Sequence, residues 1–317
     1  MGTPPGGNIQ AMAAGTQSGQ YGACLFTLDE NGSLSFTTQE FPGTDDWQVW
    51  QGPSFGGQPQ PGGQIACAGQ NNGCLMLVML DLDGMTWTMQ QKHASGSWGG
   101  WAGPGIGSQK YGWAAITAGE QSGARGIQLM AADDEGQIWS CYQMNPGADW
   151  SGWTTGLAVL SGGQDFDAGE IALSGQNNGM LMLLAEADGE IAALPQIQPG
   201  GAWGAWTALG LGGQTEPLKN ICACQQGGSR GVQLWGLDGN GKVMALFQDT
   251  AGGQWDPWQV FLGTQPEPFV LIAAAGQNNG CTIFFGVGEA GDLWEVRQTA
   301  PGGDWGKWKT MAPPPQS

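Results

Sequence analysis

A short stretch, Ala68-Gly69-Gln70-Asn71-Asn72-Gly73, comes back almost unchanged twice in this 317-residue chain. The copies are Gly175-Gln176-Asn177-Asn178-Gly179 and Gly276-Gln277-Asn278-Asn279-Gly280, lying 106 and then 101 residues further on. Variant versions stand half an interval before each copy: Gly15-Thr16-Gln17-Ser18-Gly19, Gly119-Glu120-Gln121-Ser122-Gly123 and Cys224-Gln225-Gln226-Gly227-Gly228. A Trp-x-x-Trp pair runs in the same phase, at 47/50, 98/101, 150/153, 203/206, 255/258 and 305/308. Six copies in two alternating flavours make three tandem double repeats. Such periodicity constrains the fold first, because a unit of about 50 residues cannot bury its own faces and must stack on its neighbours.

Within the second repeat, residues 65–68 predict a short strand of small residues, and Gln70-Asn71-Asn72-Gly73 a turn, since Asn and Gly tolerate positive φ. Residues 74–80 predict an apolar strand, Asp81-Leu82-Asp83-Gly84 a second turn, and 85–91 a third strand. Residues 92–97 form a loop, 98–101 open a fourth strand, and 103–109 link to the next repeat. No segment keeps a helical period. Four short strands per repeat fit one β-propeller blade. The expected fold is therefore all-β: a six-bladed β-propeller of four-stranded blades, with pseudo-threefold symmetry, in a single domain over 1–317. The blades are expected near 9–58, 65–109, 113–164, 170–214, 221–265 and 272–311, with longer links at 55–64 and 157–169. Small residues such as Ala13, Ala14, Ala66, Ala68, Ala114 and Ala115 suit the crowded axis.

Composition then removes function classes. The 59 glycines follow no Gly-X-Y period, which excludes collagen, and 40% apolar residues exclude disorder. A net charge of −18 leaves no basic footprint for phosphates, so no nucleic acid is expected, and anionic membranes and sulfated glycans are disfavoured. Neutral ligands remain. No apolar run approaches a membrane span, so no membrane insertion is expected. Residues 1–10 lack a charged and apolar leader, which predicts cytoplasmic synthesis without a secretory signal and release, if any, by a non-classical route. The 7 cysteines read as buried, reduced thiols.

Two sets of residues are candidates for ligand binding. The Trp-x-x-Trp positions predict one indole between sheets and one at a surface or groove. Trp50, Trp101, Trp153, Trp206, Trp258 and Trp308 are the candidate platforms, since an aromatic face stacks on the C–H face of a sugar; interblade packing is the alternative. The trios Gln70, Asn71, Asn72; Gln176, Asn177, Asn178; and Gln277, Asn278, Asn279 offer uncharged donors and acceptors to a hydroxylated ligand. A turn satisfying its own backbone is the alternative there. The odd repeats, ending in Tyr21, Arg125 or Arg230, should differ in site chemistry. The glutamines closing each third strand (39, 91, 143, 196, 248, 298) read as buried ties to the following loop. Catalysis has little to work with: His93 is the single histidine, and clusters for zinc or calcium are missing. Neither catalytic residues, metal nor cofactor are expected.

The last repeat, Gly276-Gln277-Asn278-Asn279-Gly280 followed by Gly291-Asp292-Leu293-Trp294 and Gln298-Thr299-Ala300-Pro301-Gly302-Gly303-Asp304-Trp305-Gly306-Lys307-Trp308, resembles the repeat of the PLL-like (tectonin-type) β-propeller lectins. The likeness is close in the sixth repeat and fair in the second and third. It implies a multivalent lectin, not an enzyme, binding neutral glycans such as fucose, N-acetylglucosamine or O-methylated sugars between adjacent blades. That family has two aromatic positions on its third strand. Here those places hold Trp294/Arg297, Trp139/Tyr142 and Trp87/Gln90, but Ala192/Pro195 and Met244/Phe247 elsewhere. The rival expectation is a protein-interaction or structural propeller without sugar binding; self-association is left open.

Overall fold

The computed structural model describes residues 9–155, 164–228, 230–315 and 317. Residues 1–8 of the leader reading and 157–163 of the long link lie outside the described residues. Six antiparallel sheets follow one another along the chain. Blade 1 contains Ile9–Thr16, Ala23–Asp29 and Leu34–Thr38. Blade 2 contains Gly62–Gly69, Leu75–Asp81 and Thr86–Gln90, and blade 3 Ala115–Glu120, Ile127–Ala132 and Ile138–Tyr142. Blade 4 is made of Glu170–Gly175, Leu181–Ala187 and Glu190–Pro195. Blade 5 has Lys219–Gln225, Val232–Leu237 and Val243–Phe247, and blade 6 Phe269–Gly276, Thr282–Gly288 and Leu293–Arg297. Each innermost strand packs against that of the next sheet, and Phe269–Gly276 packs against Ile9–Thr16, so the ring closes.

The middle strands read as largely apolar runs, such as LMLVMLD at 75–81, and are buried but for Asp29 and Glu186. Both of their faces are covered by neighbouring blades, so no alternation with polar residues is needed. The core is accordingly divided among the boundaries. One cluster joins Phe26 and Leu28 to Leu77 and Met79 across blades 1 and 2; another joins Leu25 to Ile283 and Phe285 across blades 1 and 6. Each boundary has its own apolar cluster. Truncating a side chain such as Leu77 or Phe285, both wholly buried, should cost about 2–5 kcal/mol.

The outermost strand departs from expectation. It shrinks to two residues in blades 3, 5 and 6 (Thr154–Thr155, Gln259–Val260, Lys309–Thr310). In blades 1, 2 and 4 it is present only as isolated bridges such as Gln39↔Trp47, Gln91↔Trp98 and Gln196↔Trp203. The Trp-x-x-Trp segment lies at this outer edge in all six blades, with its indoles packed onto the preceding blade. Four of the third-strand glutamines, Gln39, Gln143, Gln196 and Gln248, tie the loop that follows, while Gln91 donates to Gln17 across the boundary. Gln39 is fully buried; its Oε1 accepts from Ala23 N at 3.3 Å and its Nε2 donates to Thr44 O at 2.7 Å. Gln196 and Gln248 repeat the pattern with Gly201 and Gly253. The acidic turns also satisfy themselves: Asp81 Oδ1 accepts from the N–H groups of Asp83 and Met85 at 3.0 and 2.9 Å. All seven cysteines are unbridged, and burial pushes Cys24, Cys141 and Cys224 up to about 12, which keeps them as thiols.

Candidate ligand clefts between the blades

In each Gln-Asn-Asn corner the three residues do three different things. The turn closes with Gly73 N donating to Gln70 O at 2.8 Å, and Gly73 sits at φ +78°, where any side chain would be strained. Gln70, Gln176 and Gln277 are buried at the base. The middle asparagines reach across to the next blade. Asn71 Nδ2 donates to the carbonyls of Gly123 and Arg125 at 2.9 and 2.7 Å, and also to Gln121 O. Asn177 does the same to Gln226 O at 2.8 Å and to Arg230 O. Asn278 donates to Gly19 O at 3.1 Å and Tyr21 O at 2.9 Å, and to Gln17 O. The third asparagines fold back: the Oδ1 atoms of Asn72, Asn178 and Asn279 accept from the N–H groups of Cys74, Met180 and Cys281 at 2.9, 3.0 and 2.9 Å. Their side chains remain exposed on the rim.

The second tryptophan of each pair is half-buried. The indole N–H groups of Trp101, Trp153 and Trp258 donate to Phe55, Ile106 and Leu211 carbonyls in the link that leaves the preceding blade, at 3.4, 2.9 and 2.7 Å. Trp50 closes the same pattern around the ring by donating to Ala312 O at 2.9 Å. Trp206 and Trp308 keep buried indole nitrogens without a hydrogen-bond partner; Trp206 lies edge-on to Phe166 at 5.0 Å, and Trp308 to Phe269 at 5.2 Å. These six indoles are wedges between blades, each with one edge toward solvent. The structure does not bring them together with the Gln-Asn-Asn corners.

Another set of side chains does converge. A cleft of about 410 Å³ opens between blades 1 and 2, lined by Gln17, Tyr21, Thr38, Gln48, Gln51 and Trp98 among others. Trp98 forms an aromatic wall, held edge-on to Phe26, Phe36 and Phe55 with centroids 5.6, 6.0 and 6.0 Å away. Gln17 is fixed from behind by Gln91 Nε2, which donates to its Oε1 at 3.1 Å. Among the described residues no charged side chain lines this cleft. An aromatic wall beside hydroxyls and amides suits a small, hydroxylated, uncharged molecule. Sequence reasoning missed Trp98 by favouring the second tryptophan of each pair. The available signal was Tyr21, already marked as a point where the odd repeats diverge. Corresponding boundaries carry different chemistry: between blades 3 and 4 the Arg125 guanidinium lies 4.1 Å over the Tyr142 ring, and Trp203 is buried.

Two further cavities lie elsewhere. A funnel of about 520 Å³ on the axis is lined by the ends of all six innermost strands, with Glu120 at its mouth; burial raises that carboxyl above its ordinary range. An apolar groove of about 460 Å³ runs between Trp47, Val49 and Trp50 and the tail residues Met311, Pro313 and Pro315. Among the described residues no group of three or more His, Cys, Asp or Glu is placed to hold a metal ion.

The ring of six sheets defines a six-bladed β-propeller, and solved structures agree. The chain is similar to AofleA of Arthrobotrys oligospora, with a TM-score of 0.72 at 13% identity, over 98% of this chain and 89% of that one. It is also similar to the fungal lectin of Aleuria aurantia, described as a six-bladed β-propeller with its own mode of fucose recognition (TM-score 0.62, 16% identity, 97% and 95% coverage). The BP39L lectin of Burkholderia pseudomallei matches with a TM-score of 0.63 at 20% identity, over 98% and 86% of the two chains. At these identities the likeness concerns the fold. No family model and no curated protein matches the chain.

Proposed function

We propose that this protein is a non-catalytic, multivalent lectin that binds neutral sugars in clefts between blades. The observation that carries the reading is the blade 1–2 cleft: an indole wall facing hydroxyl and amide groups, with no charged side chain in its lining. Sugar-binding neighbours of the same fold support it, and the fucose recognition described for one of them makes α-L-fucosides the first ligand to try. The repeat pattern further suggests a PLL-like, tectonin-type origin and pseudo-threefold symmetry, with one domain over 1–317. In this reading the exposed amides of Asn72, Asn178 and Asn279 and the solvent-facing edges of Trp50, Trp101, Trp153, Trp206, Trp258 and Trp308 frame further grooves. Gln70, Gln176 and Gln277, together with Asn71, Asn177 and Asn278, hold the rim in shape, since those asparagine donors are already used.

A single site for a small polar ligand should be weak, with Kd on the order of 0.1–1 mM. Several sites on one rigid disc raise avidity on a glycan-coated surface without any new contact. Titration calorimetry with methyl α-L-fucoside, N-acetylglucosamine and an O-methylated hexose tests the reading, together with haemagglutination reversed by the sugar that binds. Saturable heat from at least one of them is expected. If none binds and red cells are not agglutinated, the chain is a protein-interaction or structural propeller instead.

A further inference from the structure

Five of the six boundaries between blades are crossed by the chain itself. At the boundary between blade 6 and blade 1 the C-terminal tail leans onto blade 1, with Ala312 O accepting from Trp50 and Ser317 Oγ from Asn31, both at 2.9 Å, but it does not run on into a strand there, and among the described residues each sheet is made of strands contiguous in sequence. This seam holds by non-covalent contact alone. Some of its contacts also occur elsewhere on the ring, such as the grip of Asn278 on Gly19 and Tyr21. The hydrogen bond from Gln277 Nε2 to Gln39 Oε1 at 2.7 Å likewise matches the Gln17–Gln91 contact between blades 1 and 2, and Thr16 Oγ1 donates to Gly276 O at 2.8 Å.

What distinguishes the seam is charge. The three ion pairs between described residues all involve it: Asp45 of blade 1 pairs with Arg297 and with Lys309 of blade 6, and Arg297 stands 3.6 Å from Glu295. Arg297 also donates to Thr44 O, while Trp47 of blade 1 donates its indole N–H to Glu295 Oε2 at 2.9 Å. The Arg297 and Glu295 side chains are only 13% and 4% exposed. The matching positions in the other blades are Phe36/Thr38, Thr88/Gln90, Ser140/Tyr142, Ala193/Pro195 and Ala245/Phe247, none of them charged. Buried charge is costly unless paired, and its best-supported benefit is directional specificity. A chain with only nine basic residues has placed two of them on one partner carboxylate at this boundary.

We propose that Asp45 and Trp47 of blade 1, held by Glu295, Arg297 and Lys309 of blade 6, form a latch that keeps the ring shut, so that the seam yields to ionic strength while the chain-crossed boundaries do not. Asp45 is half exposed, so salt can reach the pair that joins the two blades.

Hydrogen exchange read by mass spectrometry tests this on the intact chain. Raising NaCl from about 0.05 to about 0.5 M shortens the Debye length severalfold. Peptides from blades 1 and 6 (9–38 and 269–297) should then exchange roughly tenfold faster, with blades 3 and 4 (115–142 and 170–195) unchanged. Asp45→Asn, a change at a half-exposed position, should reproduce the high-salt pattern at low salt and remove the salt response. Equal responses in blades 1, 3, 4 and 6, or an Asp45→Asn protein with wild-type exchange, would overturn the latch.

Discussion

The boundary between blades 1 and 2 and the seam between blades 6 and 1 are built on the same backbone plan yet end in opposite chemistry. At the first, Trp98 lies against the ring of Phe36, Thr38 is uncharged, and a neutral cleft is left open. At the second, Glu295 replaces Phe36 and accepts the N–H of Trp47, while Arg297 replaces Thr38 and is taken up by Asp45. One tryptophan turns its ring to an apolar partner and the other its nitrogen to a carboxylate. Two side chains per boundary thus separate an open, neutral cleft from a charged junction.

The largest expected effect separates the two through pH. Burial raises Glu295 from 4.5 to about 7, opposed by the hydrogen bond from Trp47 and the charge of Lys309, with Arg297 and Asp45 beside it. Between those values the folded chain holds a proton that the unfolded chain has lost. Stability from this group is therefore full below pH 4.5 and declines as pH rises to about 7. The loss is about 3 kcal/mol. Denaturant unfolding across that window should show Glu295→Gln falling less steeply than the wild type, by about 3 kcal/mol. Glu120 and Glu186, also raised by burial, add a background common to both proteins. Parallel curves for the two would remove Glu295 from the account.

Next in size is the asparagine clamp. Asn278→Ala and Asn71→Ala each leave two or more carbonyls of the next blade without their donor, at about 2 kcal/mol. The seam variant should lose more, having no chain crossing to hold the blades together. Equal losses in thermal unfolding would mean that closure depends on the clamps alone, with no special role for charge.

Ligand affinity gives a smaller and purely local effect. Tyr21→Ala should weaken the sugar found by calorimetry about tenfold, or ~1.4 kcal/mol, at the blade 1–2 cleft. Asp45→Asn should leave that affinity unchanged. A loss on Asp45→Asn instead would show that the seam, too, is a ligand site. Smallest is Lys309→Met: both partners of the Lys309–Asp45 pair are about half exposed, so about 0.5 kcal/mol should disappear at low salt and nothing at high salt.

Repetition made most of the architecture legible. The spacing of the Gln-Asn-Asn corners and Trp pairs determined how many sheets there are, where they turn, and which strands are buried on both faces. The missing regular fourth strand was not legible, since a Trp-x-x-Trp segment looks like a strand by its local pattern. The site was less legible than the fold. Asn71 and Asn72 are adjacent and chemically identical, yet one amide spans a boundary and the other closes its own turn.

By itself, then, the sequence determined a ring of repeated all-β units and the neutral or anionic character of each stretch, because period, turn chemistry and charge are properties of neighbours along the chain. Tertiary structure alone decided which amides were already engaged, that Trp98 and not Trp101 faces the cleft, and that Asp45 meets Arg297. Those depend on pairs lying more than 250 residues apart, or on the angle at which one blade meets the next. No local pattern encodes either, because contacts between blades are fixed only once the ring has closed.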